Sequence, residues 1–210
     1  MLKYEEKLHL DEHYRKLQSS SFLQVTMGLV WGIAEYVFLY FLIKYVLLYI
    51  PDFQSWNNFQ TWFTLGGVKF VKADLAYFVC GLIINCYGTV RLTKITVQNH
   101  SAKSEKGSTP KCLLINGYYA KVRHPMYGTF IILQAGFMLS LRSFIGIIVA
   151  LIIVVGQYIN AVIEEKKQLI PAFGEEYNLY IKNVSAMVLT RSEIIAFAVA
   201  VILSTVGCIF

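Results

Sequence analysis

Charge is scarce in this chain of 210 residues: Asp, Glu, Lys and Arg together make up 15% of it, while apolar residues fill 56% and mean hydropathy is +0.53. That is more apolar side chain than a soluble domain can hide in its own core, so the surplus requires lipid. Cysteine is equally sparse. Cys80, Cys86, Cys112 and Cys208 show no CxxC or histidine-adjacent spacing, so neither a disulfide framework nor a metal site is expected. His9 and His13 stand four apart but lack the further ligands a metal needs. Cys208 is third from the end, where a prenylation box needs it fourth, which argues against lipidation there. A cleavable signal pattern is also missing, and residues 1–21 read as a retained amphipathic segment lying on the cytosolic surface. There is no internal repeat.

What is present is long apolar runs. The hydrocarbon core is about 30 Å thick and takes about 20 helical residues to cross. Five stretches approach that length: residues 22–50, 73–90, 126–141, 144–163 and 193–210. The expected fold class is therefore an all-α integral membrane protein of about five transmembrane helices. The third and fourth stretches form a tight hairpin across Arg142 and Ser143.

The net charge of +6 does not point to nucleic acid, because its placement follows a membrane rule. Lys3, Lys7, Arg15 and Lys16 precede the first span; Arg91, Lys94, Lys103, Lys106, Lys111, Lys121 and Arg123 lie between the second and third; Lys166, Lys167, Lys182 and Arg191 lie between the fourth and fifth. The alternate loops hold only Lys69 and Lys72, then Arg142. Positive-inside orientation then puts the amino terminus in the cytosol and the carboxyl terminus on the opposite side.

Residues 98–112 are polar, basic and rich in Ser and Gly, and read as a flexible loop. That loop separates a helical pair, residues 22–97, from a core at 113–183 and a last span within 184–210. In the first span Gly28 and Gly32 stand four apart, a spacing that lets another helix approach closely. Glu35 lies mid-span, where an unpaired carboxylate costs a few kcal/mol or more. It is expected to face protein or a wet cavity, through a hydrogen bond to a residue such as Asn85 or through a role in substrate binding.

The stretch LLINGYYAKVRHPMYGTF, residues 113–130, carries the chemistry, together with EEKKQLIPAFGEEYNLY, residues 164–180. Pro125 suits the first turn of a helix, where its missing N–H costs nothing. About 17 residues at 1.5 Å each carry the chain roughly 25 Å across, and about 20 more bring it back. Glu164 and Glu165 therefore return to the face that holds Arg123, His124 and Tyr127, with Tyr177 and Tyr180 close behind. Taken singly, an Arg-His pair at a helix end is a topological anchor, and Glu-Glu followed by Lys-Lys is a solvated helix surface. Gathered together, they suit a zwitterionic ligand: carboxylates for an ammonium group, helix-start N–H groups and cations for a carboxylate.

Gly117-Tyr118-Tyr119, then Arg123-His124-Pro125-Met126-Tyr127-Gly128, a helical hairpin, Glu164-Glu165, Leu169 and Phe173-Gly174-Glu175-Glu176-Tyr177 with Tyr180 resemble one known family. It is the superfamily of isoprenylcysteine carboxyl methyltransferases and phospholipid N-methyltransferases, integral membrane enzymes. The resemblance covers about a third of the chain, residues 113–183. It implies S-adenosylmethionine as cofactor at the cytosolic side, held by Gly117, Tyr118, His124, Pro125, Tyr127, Glu164 and Glu165, with Arg123 as an anchoring residue. The acceptor it implies arrives from the bilayer, as a lipid or a small prenylated or amine-bearing molecule, and Glu165, Asn160 and Tyr127 are the candidates beside the reacting groups.

Asn160 departs from the carboxyl methyltransferases, which carry an arginine four residues before the first Glu. A neutral amide cannot make the bidentate, charge-assisted pair that recognises a carboxylate. That turns weight toward an amine acceptor, as in the phospholipid N-methyltransferases, while the Phe-Gly-x-Glu-Tyr tail resembles the carboxyl methyltransferases. Two further readings are an NADPH-dependent sterol-type reductase, which shares a similar Arg-His-Pro-x-Tyr stretch, and a membrane protein that binds the cofactor without turnover. Methyl transfer is an in-line displacement that rests on placement and exclusion of water, so no covalent intermediate and no essential metal are expected.

Overall fold

The computed structural model describes residues 21–50, 61–102 and 112–209. The amino-terminal segment, with His9 and His13, and residues 103–111 of the basic loop lie outside the described residues. The described chain is mostly helical: α1 (Phe22–Leu47), a hairpin of β1 (Phe63–Leu65) and β2 (Val68–Phe70), α2 (Lys72–Ala102), α3 (Pro125–Leu141), α4 (Phe144–Glu164), a π-helical turn (Glu165–Leu169), α5 (Ile170–Phe173), α6 (Glu175–Asn183) and α7 (Arg191–Ile209). Four helical stretches are long and apolar enough to cross a membrane: Phe22–Leu47, Lys72–His100, Phe144–Phe173 and Arg191–Cys208.

The fifth expected span, α3, has only 17 residues, about 25 Å at 1.5 Å per residue. It is also the most enclosed helix, with Ile131, Ala135, Gly136, Met138, Leu139 and Ser140 all buried. α2 crosses it where two glycines meet. A Cβ on Gly81 would stand 2.4 Å from the Gly136 carbonyl oxygen, and one on Gly136 would stand 2.8 Å from that of Gly81. Only hydrogen side chains let these two backbones approach so closely.

The small face of α1 is used as its spacing suggests. Gly28 rests on the Thr93 side chain and Gly32 on that of Thr89, both on α2. Tyr36 and Tyr40 turn inward on the same side, and the Tyr36 hydroxyl donates to the Phe78 carbonyl at 3.0 Å. This rotation corrects the reading of Glu35, which lies exposed on the outside of α1. Asn85 is buried, and its amide oxygen lies 3.5 Å from the Thr89 hydroxyl instead.

Two further expectations change. The all-α reading omitted the β1–β2 hairpin, in which Phe63 pairs with Phe70 and Leu65 with Val68 around Gly66 and Gly67. Both glycines have positive φ, the feature a two-residue hairpin turn demands. The second helix does not stop near Val90 but runs on to Ala102, so the polar residues Gln98 and Asn99 are helical. They are held by the loop at 116–119: Tyr119 hydrogen-bonds Asn99, and Gly117 lies against Gln98.

Buried charge ties the end of the bundle opposite His124. Asp74 Oδ1 meets Lys44 Nζ at 3.0 Å and Arg142 Nη1 at 3.1 Å, and Asp74 Oδ2 accepts the Val71 N–H at 2.8 Å. Arg142, in the left-handed conformation at the α3–α4 turn, also donates to the Gly207 carbonyl at 2.9 Å. One carboxylate thereby links α1, the start of α2, the hairpin turn and α7.

Two glycine substitutions should separate packing from helix propensity. Gly81→Val has backbone in its way and should lower stability by about 1–3 kcal/mol or more. Gly156→Ala, with nothing within 4 Å of the added carbon, should be neutral or gain up to about 1 kcal/mol. Thermal unfolding in detergent reads both, and equal losses would contradict the crossing.

Candidate functional site

Three local features place the site residues. The segment that leads into α3 lies beside the segment that follows α6: the Arg123 N–H donates to the Ala186 carbonyl at 3.0 Å and the His124 N–H to that of Met187 at 2.8 Å. Gly128, one turn into α3, has the Val188 carbonyl 2.2 Å from where a Cβ would stand, so the strap is pressed against the helix. Pro125 then opens α3 with His124 as its N-cap.

At the returning end, α4 gives way after Glu164 to the π-helical turn. Pro171 explains it: proline has no N–H, and its ring would collide with the Lys167 carbonyl in a regular helix. Widening the turn relieves the collision and lets the Ile170 N–H bond the Glu165 carbonyl. Gly174, at φ 52°, ends α5, and α6 then carries Tyr177 and Tyr180 back beneath the turn.

The two acids meet one imidazole. His124 Nδ1 lies 3.2 Å from Glu164 Oε2, and His124 Nε2 lies 3.1 Å from Glu165 Oε1. Glu165 Oε1 also accepts from Arg123 Nε at 2.7 Å and from the Tyr177 hydroxyl at 3.0 Å. The Arg123 Nη1 group donates to the carbonyls of Val184 at 2.9 Å and Ser185 at 3.1 Å. Tyr127 stacks on the His124 ring at 5.6 Å, and burial and the Glu164 carboxylate raise its phenol.

Burial divides the pair: the Glu164 side chain is 32% exposed and that of Glu165 10%. Glu165 is thus enclosed and engaged by three donors, while Glu164 is the open acid of the cluster. Burial by itself lowers the His124 imidazole, but hydrogen bonds that it donates to Glu164 and Glu165 and their negative charge outweigh it, and the net direction is upward. Both ring nitrogens face carboxylates, which only a doubly protonated ring satisfies.

Gly117 and Tyr118 join from a second direction. Gly117 has φ 60°, the left-handed region that favours glycine, and a Cβ there would lie 2.3 Å from the Gln98 side-chain amide, which would have to shift. The Tyr118 ring lies over the Arg91 guanidinium at 5.2 Å. Arg91, 2% exposed, also lies 3.5 Å from the Pro125 carbonyl and pairs with Glu193. Tyr180 donates to the Tyr119 carbonyl at 2.6 Å, so α6 holds this loop as well. Asn160 is the exception among the candidates: it is exposed on α4, one turn before Glu164, with no polar partner among the described residues.

The sequence alone marks Arg91 as a topological cation and Glu193 only as the first residue of the last apolar stretch. A signal existed in Thr190-Arg191-Ser192-Glu193, a capping box. The Thr190 N–H donates to Glu193 Oε2 at 2.8 Å, and the Glu193 N–H donates to the Thr190 hydroxyl at 3.3 Å. The other carboxylate oxygen is thereby presented to Arg91. Among the described residues no group of three His, Cys, Asp or Glu could hold a metal ion. No family model, curated protein or solved structure matches this chain.

Removing the enclosed acid should cost more than removing the open one. Glu165→Ala strands a buried guanidinium, an imidazole N–H and a phenol, and should destabilise by about 3–5 kcal/mol. Glu164→Ala should cost clearly less, and an inverted order in denaturant titrations would contradict the division. The raised His124 value has a sign: its stabilisation is complete below about pH 6.5 and is lost as pH rises through the higher folded value. The Tm difference between the wild type and His124→Gln should therefore shrink toward alkaline pH. A constant difference would mean that the imidazole carries no charge.

Proposed function

We propose that the chain is an S-adenosylmethionine-dependent methyltransferase that modifies a lipid-like acceptor taken from the bilayer. The observation that supports this reading best is the meeting of His124 with Glu164 and Glu165 at 3.2 and 3.1 Å across a helical hairpin, within the motif order that resembles the methyltransferase superfamily. We place this end in the cytosol, since Lys94, Lys121, Lys166, Lys167, Lys182 and Arg191 gather there and the positive-inside rule assigns such an end to the cytosolic face.

The residues present fit the cofactor. Glu164 offers an open carboxylate for its ammonium group, and Asn116 Oδ1, beside Gly117, is buried without a hydrogen-bond partner and is an acceptor suited to a ribose hydroxyl. When bound, S-adenosylmethionine supplies an electrophilic methyl group on a sulfonium. Everything else is placement by the chain. Glu165 does not reach the ligand directly in this assignment; it holds Arg123, His124 and Tyr177 in position. His124, as the cation between two acids, fixes the orientation of Glu164, and Tyr127 closes over the imidazole. Gly117 lets the loop backbone lie against the Gln98 side chain, which positions the neighbouring Asn116 and Tyr118.

Asn160 governs the acceptor. Exposed on α4 one turn before Glu164, it stands where a bilayer molecule would approach, and its neutral amide accepts or donates single hydrogen bonds without pairing a carboxylate. An amine acceptor follows more readily from this than a prenylcysteine carboxylate. An amine acceptor would have to be present as the free base, because only an unshared lone pair could accept the methyl group that the bound cofactor would supply.

Glu164→Gln should weaken S-adenosylmethionine binding by about tenfold or more in calorimetry, the loss of one charge-assisted contact. Wild-type affinity in that variant would remove Glu164 from the site. Incubation with methyl-labelled S-adenosylmethionine in native lipid should label a lipid fraction; binding without any labelled product would instead favour a cofactor-binding protein without turnover.

A further inference from the structure

The β1–β2 hairpin has one side that the bundle uses and one that it leaves open. Val68 and Phe70 are buried against Tyr40 and Leu141, and the Phe70 ring covers the Lys44 ammonium at 4.9 Å. Trp62, Phe63 and Leu65 are apolar, yet they are exposed by 52%, 44% and 56%. Tyr45 and Tyr49, at the end of α1, are exposed as well and share a hydrogen bond between their hydroxyls at 2.9 Å. Lys69 on β2 and Lys72 at the start of α2 are also exposed.

Two limits fix the depth of this hairpin. No third strand joins it among the described residues, so each strand keeps an outer edge of N–H and C=O groups, and open sheet edges do not occur within hydrocarbon. Bulk water is opposed from the other direction, by three large apolar side chains gathered on one short element. The headgroup layer meets both demands: water reaches the backbone edges while ring bodies reach the first acyl segments, which is where Trp and Tyr concentrate. The length of α3 gives the same level. It starts at His124, among the polar groups of one end, and its 17 residues span about 25 Å, so it stops at Leu141 about one turn short of a hydrocarbon core about 30 Å thick. Val68 and Phe70 pack on that end, so the hairpin occupies the remaining depth and reaches the boundary.

We propose that the hairpin is an interfacial anchor that binds the phospholipid headgroup layer at the end of the bundle opposite His124. Lipid is the occupant of its open side because that side continues the exposed surface of a membrane-spanning helix. Phe41, exposed on α1, lies 5.9 Å from Phe70, whose ring stacks on Phe63 at 4.7 Å, and Trp62 follows edge-on at 5.2 Å. Lys69 and Lys72 complement the phosphate groups, their stems lying along apolar surface. Held by lipid on one side and by Leu141 on the other, the hairpin sets how deep α1, α2 and α3 sit. This anchoring is independent of the methyltransferase reading and stands or falls separately from it.

Tryptophan fluorescence of the full chain in phosphatidylcholine vesicles tests it. Trp31→Phe combined with Trp56→Phe leaves Trp62 as the one indole, and the difference between the wild type and Trp62→Phe reports the same residue with the other two in place. Trp62 emission should be shifted to the blue and should lose most intensity with lipids brominated near the carbonyl end of their chains. Bromine near the methyl end, or iodide in the water, should quench it less. Quenching chiefly by iodide puts the hairpin in water, strongest quenching by methyl-end bromine puts it in hydrocarbon, and protection from all three puts it under protein. Each of these outcomes overturns the proposal.

Discussion

One oxygen atom, Glu165 Oε1, receives the Arg123 guanidinium, the His124 imidazole and the Tyr177 hydroxyl, and the arrangement of this end of the bundle depends on it. A buried carboxylate is costly unless donors surround it, and here the donors come from the α3 entrance and from α6. The π-helical turn forced by Pro171 immediately follows Glu164, so one acid faces inward and its neighbour stays open. Adjacent residues thereby differ in exposure and in the number of donors that engage them.

The opposite end repeats the principle with different residues. Asp74 gathers Lys44 and Arg142, while between the two polar ends glycine lets backbones touch at Gly81 and Gly136. Charge fixes the ends of the helices and small residues fix their separation. Lipid supplies no hydrophobic drive to hold helices together, so close packing and polar contacts must do it. Glu35, exposed on the outer side of α1, stands apart from this pairing of charges among the described residues.

Much of this was legible beforehand. Four of the five apolar runs marked helices long enough to cross a membrane, the Arg142-Ser143 turn was short enough to mark the hairpin, and the hairpin length returned Glu164 and Glu165 to His124. Gly28 and Gly32 marked a packing face, though not its partner. The β1–β2 hairpin was missed because Gly66-Gly67 sits between short apolar segments that do not alternate clearly. The extension of α2 to Ala102 was missed because Gln98 and Asn99 look like loop residues until Gly117 and Tyr119 are seen to hold them.

The sequence by itself determined which segments leave water and which polar side chains collect at each end, because the cost of burying charge and the rise of a helix depend only on residue order. Tertiary structure decided the direction each side chain faces. Glu35 turned outward once Thr89 and Thr93 filled the space beside Gly32 and Gly28, and Glu165 rather than Glu164 became enclosed once the turn at Pro171 widened. Arg91 became a clamp on Tyr118 only when Glu193 arrived from more than a hundred residues away. Rotation about a helix axis is set by what the neighbouring helices offer, and no local stretch of sequence contains that information.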